Sequence, residues 1–360
     1  MSRVYNFCSG PAALPEAVLS KAQAELLDWH GKGVSVMEMS HRSDEFVSIL
    51  ASAKSRLSSL LGISDDYEIV FTQGGASTSF AQIPANLTHG FSSACYLDTG
   101  AWSTKAIKEA RKYADVIVAG SSKAEGYTTV PDFASLELDE RAAYLHLTPN
   151  ETIGGVEFAD LPETNLPIIA DLSSTILSRP LDVSKYGMIY AGAQKNIGPA
   201  GVVVNIIRKD LLARSDNANL PSVWSYANLA EQDSMVNTPP TFAIYLADLV
   251  FEWLEAQGGV AAMEAINIEK AALLYDAIDA SDFYSNPIDS RYRSRMNVPF
   301  ILADESLESL FLKESEKAGL RTLAGHRSVG GMRASIYNAM PKAGVQALVD
   351  FMQAFEKRYG

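Results

Sequence analysis

The sequence contains little cysteine and histidine, and it has no long apolar run. Its 360 residues include 2 cysteines and 5 histidines. We interpret Cys8 and Cys95 as buried or reduced thiols, because two cysteines cannot form a disulfide framework. The histidines show none of the spacings of a metal site. No stretch approaches the roughly 20 apolar residues of a membrane span, and the first residues lack a signal-peptide core. The sequence therefore predicts a cytoplasmic protein without a metal site or a membrane partner.

Basic residues are also scarce. The chain has 30 Lys and Arg residues against 43 Asp and Glu residues, a formal net charge of −13. This balance argues against a nucleic-acid or anionic membrane partner, so any anionic ligand must be bound by a local basic cluster. A 47% hydrophobic fraction with 20% charged residues is typical of a compact enzyme. The length allows one large domain and one smaller domain.

One segment, Met188–Gly201 (MIYAGAQKNIGPAG), combines an apolar strand pattern with a single lysine and a glycine-rich turn. Burial at the end of a strand favours the neutral amine of Lys195, which is the nucleophilic form. Such an amine can condense with an aldehyde cofactor, whereas the alternative is a solvated loop lysine. Small residues beside it leave room for a planar group: Gly192, Ala193, Gly198 and Gly201.

A second apolar stretch, residues 166–170, leads directly into Asp171 and the hydroxyl residues Ser173, Ser174 and Thr175. If the two strands are parallel neighbours, Asp171 and Lys195 both lie at the carboxyl edge of the sheet, where ligands bind in open α/β sheets. An aspartate at a pyridinium nitrogen and a lysine at the aldehyde carbon are the contacts that pyridoxal phosphate (PLP) needs as an electron sink. For Asp171 alone, a helix cap is the alternative.

A phosphate site is predicted at residues 72–78 (TQGGAST), which follow a predicted strand and lead into a predicted helix at 77–83. The free backbone N–H groups and the dipole at a helix N-terminus favour a phosphate. An ordinary turn between strand and helix is the alternative reading. The turn lacks the G-x-G-x-x-G pattern, which argues against a nicotinamide-dependent dehydrogenase.

The chain resembles the phosphoserine aminotransferase family, which are PLP enzymes of the fold type I, class V aminotransferase group. The matching segments are spread over nearly the whole sequence, and the Gly325–Pro341 segment (GHRSVGGMRASIYNAMP) is specific to this family. The resemblance implies the α/β fold of PLP-dependent transferases of type I. The other matching segments are Asn6–Pro15, Met39–Ser43, Ala170–Gly201 and Val236–Ala243.

Alternating strand and helix patterns predict a large PLP-binding domain at 14–258 with a mainly parallel sheet. Residues 259–360 predict a smaller α+β domain, with helices at 260–280, 305–319 and 345–359 and strands at 297–302 and 331–337. The resemblance implies that residues 1–13 pack with this small domain or cover the active site. In the large domain the predicted strands are 68–72, 93–97, 116–119, 143–147, 167–170, 188–191 and 202–207, and the main predicted helices are 46–61, 102–113 and 241–256.

The resemblance assigns cofactor roles to residues that the sequence alone would not identify. Trp102 stacks on the pyridine ring, Thr152 bonds the phenolic oxygen, and Ala76, Ser77 and Gln194 contact the phosphate. The resemblance also implies that two further residues reach the phosphate of a neighbouring subunit, so that the active sites are shared within a homodimer. These residues are Asn237 and Thr238.

Substrate recognition falls, by resemblance, to a set of hydroxyl, histidine and arginine side chains. A His-Arg dipeptide that occurs twice in an acidic protein suggests the two ends of a dianionic substrate, although each dipeptide alone would be an ordinary surface charge. Some family members carry an arginine where this chain has Ser77, so phosphate binding here depends more on the other residues. The candidates are Ser9, His41, Arg42, His326 and Arg327, with Arg333 as a further one.

The resemblance implies transfer of an amino group between glutamate and 3-phosphohydroxypyruvate, giving 2-oxoglutarate and 3-phosphoserine in serine biosynthesis. The family also acts on a phosphorylated hydroxythreonine analogue in pyridoxine synthesis. The alternatives are another class V enzyme, such as a serine or alanine–glyoxylate aminotransferase, and a non-enzymatic anion-binding protein. A sulfur-releasing lyase would need a cysteine in a mobile Gly/Ser-rich loop, and neither Cys8 nor Cys95 lies in one.

Overall fold

The computed structural model describes residues 3–216 and 219–360. The helices are α1 (Glu16–Ala24), α2 (Asp44–Leu61), α3 (Ala76–Leu87), α4 (Ala101–Ala110), α5 (Lys209–Asp216), α6 (Tyr226–Glu231), α7 (Thr241–Ala256), α8 (Gly259–Asp279), α9 (Glu308–Lys317) and α10 (Lys342–Tyr359). The strands are β1 (Tyr5–Asn6), β2 (Tyr67–Gly74), β3 (Ser93–Asp98), β4 (Asp115–Ser121), β5 (Leu145–Leu147), β6 (Asn150–Glu151), β7 (Val156–Glu157), β8 (Ile168–Asp171), β9 (Met188–Gly192), β10 (Gly201–Arg208), β11 (Tyr284–Ser285), β12 (Asn297–Leu302), β13 (Leu320–Arg321) and β14 (Met332–Ser335).

A seven-stranded sheet with the order β2-β10-β9-β8-β5-β3-β4 forms the centre of the molecule. Every predicted strand of the large domain belongs to it, and the expected mainly parallel α/β architecture is confirmed. The exception is β10, which is antiparallel to both of its neighbours. Only residues 193–200 connect β9 to β10, and a parallel crossover needs a dozen residues or more. The segment that contains Lys195 is therefore a tight return between adjacent strands.

Helices cover both faces of this sheet, which explains why its strands are apolar throughout rather than alternating. Helices α2 and α7 pack on one face and α3 to α6 on the other. The α2 helix begins where Ser43 Oγ accepts a hydrogen bond from the Phe46 N–H, and it ends at Gly62, whose φ of 63° is left-handed. The helix predicted at 77–83 is longer in the structure, where α3 continues through Pro84 to Leu87. Burial of Phe80, Ile83 and Leu87 offsets the hydrogen bond that a proline removes.

A second hydrophobic core lies beyond α7 and is rich in aromatic side chains. The antiparallel strands β11-β12-β14 pack against helices α8, α9 and α10. The β1 strand pairs in parallel with β13, and Phe7 is buried in this core. The division of the chain into domains at 258 stays a prediction. No helix within the described residues is long and apolar enough to cross a membrane.

Candidate functional site

The carboxyl edge of the central sheet brings together most of the predicted cofactor residues. Asp171 is the last residue of β8 and pairs in register with Tyr190 of β9, and Lys195 follows the end of β9 by three residues. One cavity of about 100 Å³ lies at this edge. Seven of the nine predicted residues line it: Ala76, Ser77, Trp102, Thr152, Asp171, Gln194 and Lys195.

Lys195 lies in this cavity with its amine held in place. Its Nζ donates a hydrogen bond of 2.6 Å to Thr152 Oγ1 and lies 5.8 Å from the centre of the Trp102 ring. Burial lowers the pKa of Lys195 to about 8, against the raising effect of the carboxylates of Asp171 and Glu151. A substantial share of the amine is therefore neutral near pH 8, as a nucleophile or a base requires.

Asp171 faces the same cavity from a buried position. Burial raises the pKa of its carboxyl, and the nearby Lys195 charge lowers it. The Oδ1 atom accepts hydrogen bonds from the Ser173 N–H at 2.9 Å and from the Ser173 hydroxyl at 2.5 Å. The same hydroxyl accepts a bond from the Gly192 N–H at 3.0 Å, which ties Asp171 to the end of β9. These bonds orient the carboxylate, and the Tyr190 side chain also lowers its pKa.

The turn between β2 and α3 suits a phosphate. At Gly74, whose φ is 120°, a Cβ would come within 2.4 Å of Thr78 Oγ1, so only glycine fits. Gly75 precedes the helix and offers no capping side chain. The backbone N–H groups of Ala76 and Ser77 are in the first turn of α3 and are not used by the helix itself. They lie at the cavity, where the helix N-terminus favours an anion.

Three buried polar atoms around the cavity have no hydrogen-bond partner in the described chain. They are Trp102 Nε1, Thr148 Oγ1 and Asn150 Oδ1. All three residues line the cavity. Unpaired buried polar atoms are costly in a protein interior, and they indicate a ligand or ordered water. The donor set, a lysine, an aspartate, an aromatic ring and free helix amides, fits an aromatic aldehyde that carries a phosphate.

Asn237 and Thr238 lie outside this cavity in the described part of the chain. The Gln73 side chain holds both, because its Nε2 donates to Asn237 Oδ1 at 3.0 Å and to the Thr238 carbonyl at 2.9 Å. Gln73 directly precedes the phosphate turn of its own chain. The two predicted residues are therefore fixed next to the site without entering it.

The predicted substrate residues are divided between two loops and the N-terminal segment. Ser9 Oγ accepts a bond of 2.7 Å from the Arg333 Nη2, and the Ser9 carbonyl accepts one from the Tyr337 hydroxyl. His326 and Arg327 lie on the loop before β14, and burial together with the charges of Arg333, Lys105 and Arg327 lowers the pKa of His326. His41 and the exposed Arg42 lie on the loop before α2, apart from the residues that line the cavity.

A larger cavity lies elsewhere in the described part of the chain. It measures about 1050 Å³ and lies beside segments that precede β8 and β9, including Leu166, Arg179 and Lys185. These segments enter the amino ends of the strands, whereas ligands in open α/β sheets bind at the carboxyl ends. None of the predicted site residues lines it. We therefore locate the functional site at the smaller cavity.

Sequence reasoning missed two charged residues of the site. Glu151 ends β6, immediately before Thr152, and is fully buried. Lys105 places its Nζ 4.0 Å from the centre of the Trp102 ring. The spacing of Trp102 and Lys105, three apart on one helix, was a signal for the second, since such residues share a face. Nothing in the local sequence indicated Glu151, because its partners belong to a helix about fifty residues earlier.

Comparison with known proteins gives a consistent result over the whole chain. The family model of class V aminotransferases matches residues 4–348. A phosphoserine aminotransferase from Marinomonas sp. is 80% identical over 360 residues, covering 100% of both chains. One from Acinetobacter baylyi is 56% identical over 359 residues and covers 99% of this chain and 100% of its own.

Solved structures agree with these relatives. The phosphoserine aminotransferase from Bacillus circulans subsp. alkalophilus superposes with a TM-score of 0.97 at 49% identity, covering 99% of each chain. The PLP-bound enzyme from Trichomonas vaginalis gives a TM-score of 0.93 at 41% identity, covering 98% of this chain and 100% of its own. An alanine–glyoxylate aminotransferase from Nostoc sp. is 14% identical with a TM-score of 0.75, covering 98% of this chain and 95% of its own, which shows a common fold alone.

Proposed function

Because this chain belongs to the class V aminotransferases and, within them, to the phosphoserine aminotransferase family, we propose that it transfers an amino group between glutamate and 3-phosphohydroxypyruvate. The products are 2-oxoglutarate and 3-phosphoserine, in serine biosynthesis. The observation that carries this proposal is the meeting of Lys195, Thr152 and Asp171 in one cavity at the carboxyl edge of the sheet. An anion-binding protein without catalysis would not need a lysine of lowered pKa opposite an aspartate.

The cofactor of this family is PLP, which supplies an electron sink for the bond that changes at the amino acid. In our proposal the N–H groups of Ala76 and Ser77, together with Gln194, would hold its phosphate. Trp102 would stack on the ring, and Thr152 would bond the phenolic oxygen. The Asp171 carboxylate would face the ring nitrogen. The unpaired polar atoms around the cavity support this assignment.

Lys195 has two tasks in this proposal, and both use the neutral amine. Its Nζ would hold the cofactor covalently when no substrate is bound, and as a free amine it would accept the proton of the substrate α-carbon and return it. A base works best when its pKa lies near the working pH, and burial brings the pKa of Lys195 to about 8. Thr152 Oγ1 holds the amine within reach of the cavity.

Asp171 contributes charge rather than proton transfer. An ionised carboxylate at the ring nitrogen keeps that nitrogen protonated, which favours the negative charge that develops on the substrate side. Burial raises the pKa of Asp171, whereas the two Ser173 hydrogen bonds and the Tyr190 side chain lower it and favour the ionised carboxylate. Ser173 is therefore a partner of Asp171 in this proposal.

We assign the dianionic substrate to a group of cationic residues outside the lining of this cavity. Arg333 is largely buried and reaches Ser9, and a planar guanidinium in such a position suits a carboxylate. His326 and Arg327, with His41 and Arg42, would bind the substrate phosphate or the side-chain carboxylate of glutamate. Ser77 brings no positive charge to this region, so these four residues carry the selectivity.

We further propose a cytoplasmic homodimer with shared sites, in which Asn237 and Thr238 complete the phosphate site of the neighbouring subunit. Their position outside the cavity of their own chain supports this arrangement. A hybrid dimer tests it: Lys195→Ala chains are mixed with chains changed at Asn237 and Thr238. One of the two hybrid sites then contains only intact parts, and partial activity should return. Verified subunit exchange without recovery would contradict a shared site.

The proposed reaction itself is tested with a panel of amino donors and keto acids. Purified protein with PLP should convert glutamate and 3-phosphohydroxypyruvate far faster than alanine or serine with glyoxylate. Preference for the glyoxylate pair would favour a serine or alanine–glyoxylate aminotransferase instead. Turnover with no pair, combined with no visible absorbance from the cofactor, would favour an anion-binding protein.

A further inference from the structure

Glu151 is a buried carboxylate that none of the roles above uses. It is fully buried at the end of β6, and burial raises its pKa to about 7, against the lowering effect of hydrogen bonds from the Ser103 and Trp102 amides. A buried acid without a role in packing is costly, since an ionised carboxylate loses its hydration. Its contacts show what it does in this protein.

The carboxylate of Glu151 caps the helix that carries Trp102. Its Oε2 accepts a hydrogen bond of 2.8 Å from the Trp102 N–H, and its Oε1 accepts one of 2.8 Å from the Ser103 N–H. Helix α4 begins after Gly100, which has no capping side chain, and its first turn contains no acidic residue. A strand about fifty residues later thus supplies both the acceptor and the negative charge that a helix N-terminus favours.

The absence of a side chain at Gly100 leaves the space that the Glu151 carboxylate occupies. A Cβ at that position would lie 2.5 Å from Glu151 Cδ and 2.6 Å from its Cγ. Real Cβ contacts are never so short, so any other residue would displace the carboxylate from the helix end. The contact between Glu151 and the helix end therefore depends on glycine at position 100.

The same residue connects this helix to Lys195. The chain continues from Glu151 into Thr152, whose Oγ1 accepts the bond from Lys195 Nζ. We propose that Glu151 is a positioning residue, which fixes Trp102 relative to Thr152 and provides a buried negative charge beside Lys195. The proposal rests on the functions proposed above for Trp102, Thr152 and Lys195.

The Glu151 charge affects the pKa of two titratable groups, Lys195 and Tyr127. Glu151 and Asp171 both raise the pKa of Lys195, whereas Arg333 lowers it. Asp171 on β8 also raises the pKa of Glu151, and Glu151 contributes to the raised pKa of Tyr127, whose main cause is burial. Removal of the Glu151 charge should therefore lower the pKa of Lys195 below about 8.

The test compares Glu151→Gln with Glu157→Gln. Glu157 lies on β7, the other strand of the same hairpin, is also buried, and accepts a 2.8 Å bond from the Arg295 N–H, away from the cavity. Glutamine keeps the size of Glu151 but loses its charge and one of its two acceptors. The measurements are the affinity for PLP, the pH dependence of PLP uptake by the cofactor-free protein, and energy transfer from tryptophan to the bound cofactor, with Trp102→Phe as the reference.

We expect Glu151→Gln to weaken PLP binding by roughly three- to tenfold, the effect of losing one helix cap. The midpoint of PLP uptake should move to lower pH, and the part of the energy transfer due to Trp102 should change. Glu157→Gln should match the wild type in these three measurements. If both variants behave alike while the wild type takes up PLP normally, the positioning role is wrong and the proposed function is unaffected.

A second variant keeps the inference testable if Glu151→Gln does not fold. Gly100→Ala pushes the carboxylate away from the helix end but keeps its charge. It should weaken PLP binding and alter the Trp102 signal, with a smaller change in the pH midpoint than removal of the charge. Wild-type PLP affinity and tryptophan signal in Gly100→Ala would overturn the proposal. A wild-type protein that fails to attach PLP at Lys195 would instead refute the proposed function.

Discussion

On the cofactor side of the site, Asp171 is 6% exposed and Lys195 is fixed by Thr152, whereas on the substrate side Arg42 and Arg327 are exposed residues on loops. The cofactor side is built from the ends of neighbouring strands, so the sheet itself sets the distances between its groups. The substrate side depends on loops and on the N-terminal segment. On the proposed assignment, the reaction type follows from the core of the fold, and substrate selectivity follows from the loops attached to it.

The largest expected effect is on the cofactor side. Lys195→Ala should abolish transamination while leaving the fold and the assembly intact, because the amine performs chemistry and contributes little packing. Treatment of the wild type with borohydride should attach the cofactor to Lys195, and mass spectrometry of the digested protein should find it there. An adduct on any other lysine would refute the assignment.

A smaller effect is expected at Asp171. Asp171→Asn should reduce turnover by roughly a hundredfold, since loss of such an electrostatic contact typically costs about 3 kcal/mol of barrier. PLP affinity should fall much less, because the phosphate and the lysine still hold the cofactor. Steady-state kinetics and a PLP titration measure the two effects. Turnover within a few-fold of the wild type would contradict this role.

The substrate side should show effects that depend on the substrate. A hydrogen bond to a charged group contributes roughly 1.5 to 3 kcal/mol, so Arg42→Ala or Arg327→Ala should lower kcat/KM for phosphoserine by about ten- to a hundredfold. Serine, which lacks the phosphate, should be almost unaffected, and glutamate should lie between them. Equal losses for all three substrates would show that neither arginine recognises the phosphate.

The smallest effect concerns the pH dependence of the cofactor side. PLP uptake by the cofactor-free protein should accelerate as pH rises through about 8, because the Lys195 amine reacts only when it is neutral. Thr152→Val removes a hydrogen bond to the charged amine, and the midpoint should move to lower pH by no more than about one unit. Stopped-flow absorbance at several pH values measures it. A midpoint at higher pH in the variant would contradict the contact.

The sequence predicted the central sheet well, and the reason is physical. Strands covered on both faces are continuous apolar runs, and residues 188–191 and 202–207 are clear examples. The two-residue strands β1, β6, β7, β11 and β13 are too short to leave a pattern. Helix α6 spans only six residues, and α5, with Lys209, Asp210, Arg214 and Asp216, has a weak apolar face. Such elements are stabilised by tertiary contacts that a local pattern does not contain.

The site residues also differ in how well the sequence indicated them. Lys195 and Asp171 could be identified because each follows an apolar strand, and the order of the strands then places them at one edge. Trp102 and Thr152 needed the family resemblance, since nothing nearby in the sequence distinguishes them from core residues. Neither the strand pattern nor the family resemblance indicated Glu151. Its carboxylate accepts hydrogen bonds from two amide groups of a helix that is close only in the folded chain.

The bond between Ser9 and Arg333 joins residues 324 positions apart in the chain. A ribosome therefore releases Ser9 long before its partner exists, and β1 must wait for β13 in the same way. Contacts of such long range form late, because the later residues must first be synthesised and closing so long a loop costs conformational entropy. A growing chain can thus assemble the strands that carry Asp171 and Lys195 before its substrate side is complete. Synthesis can therefore give the chain an order of maturation, with the sheet edge that carries Asp171 and Lys195 first and the contact between Ser9 and Arg333 last.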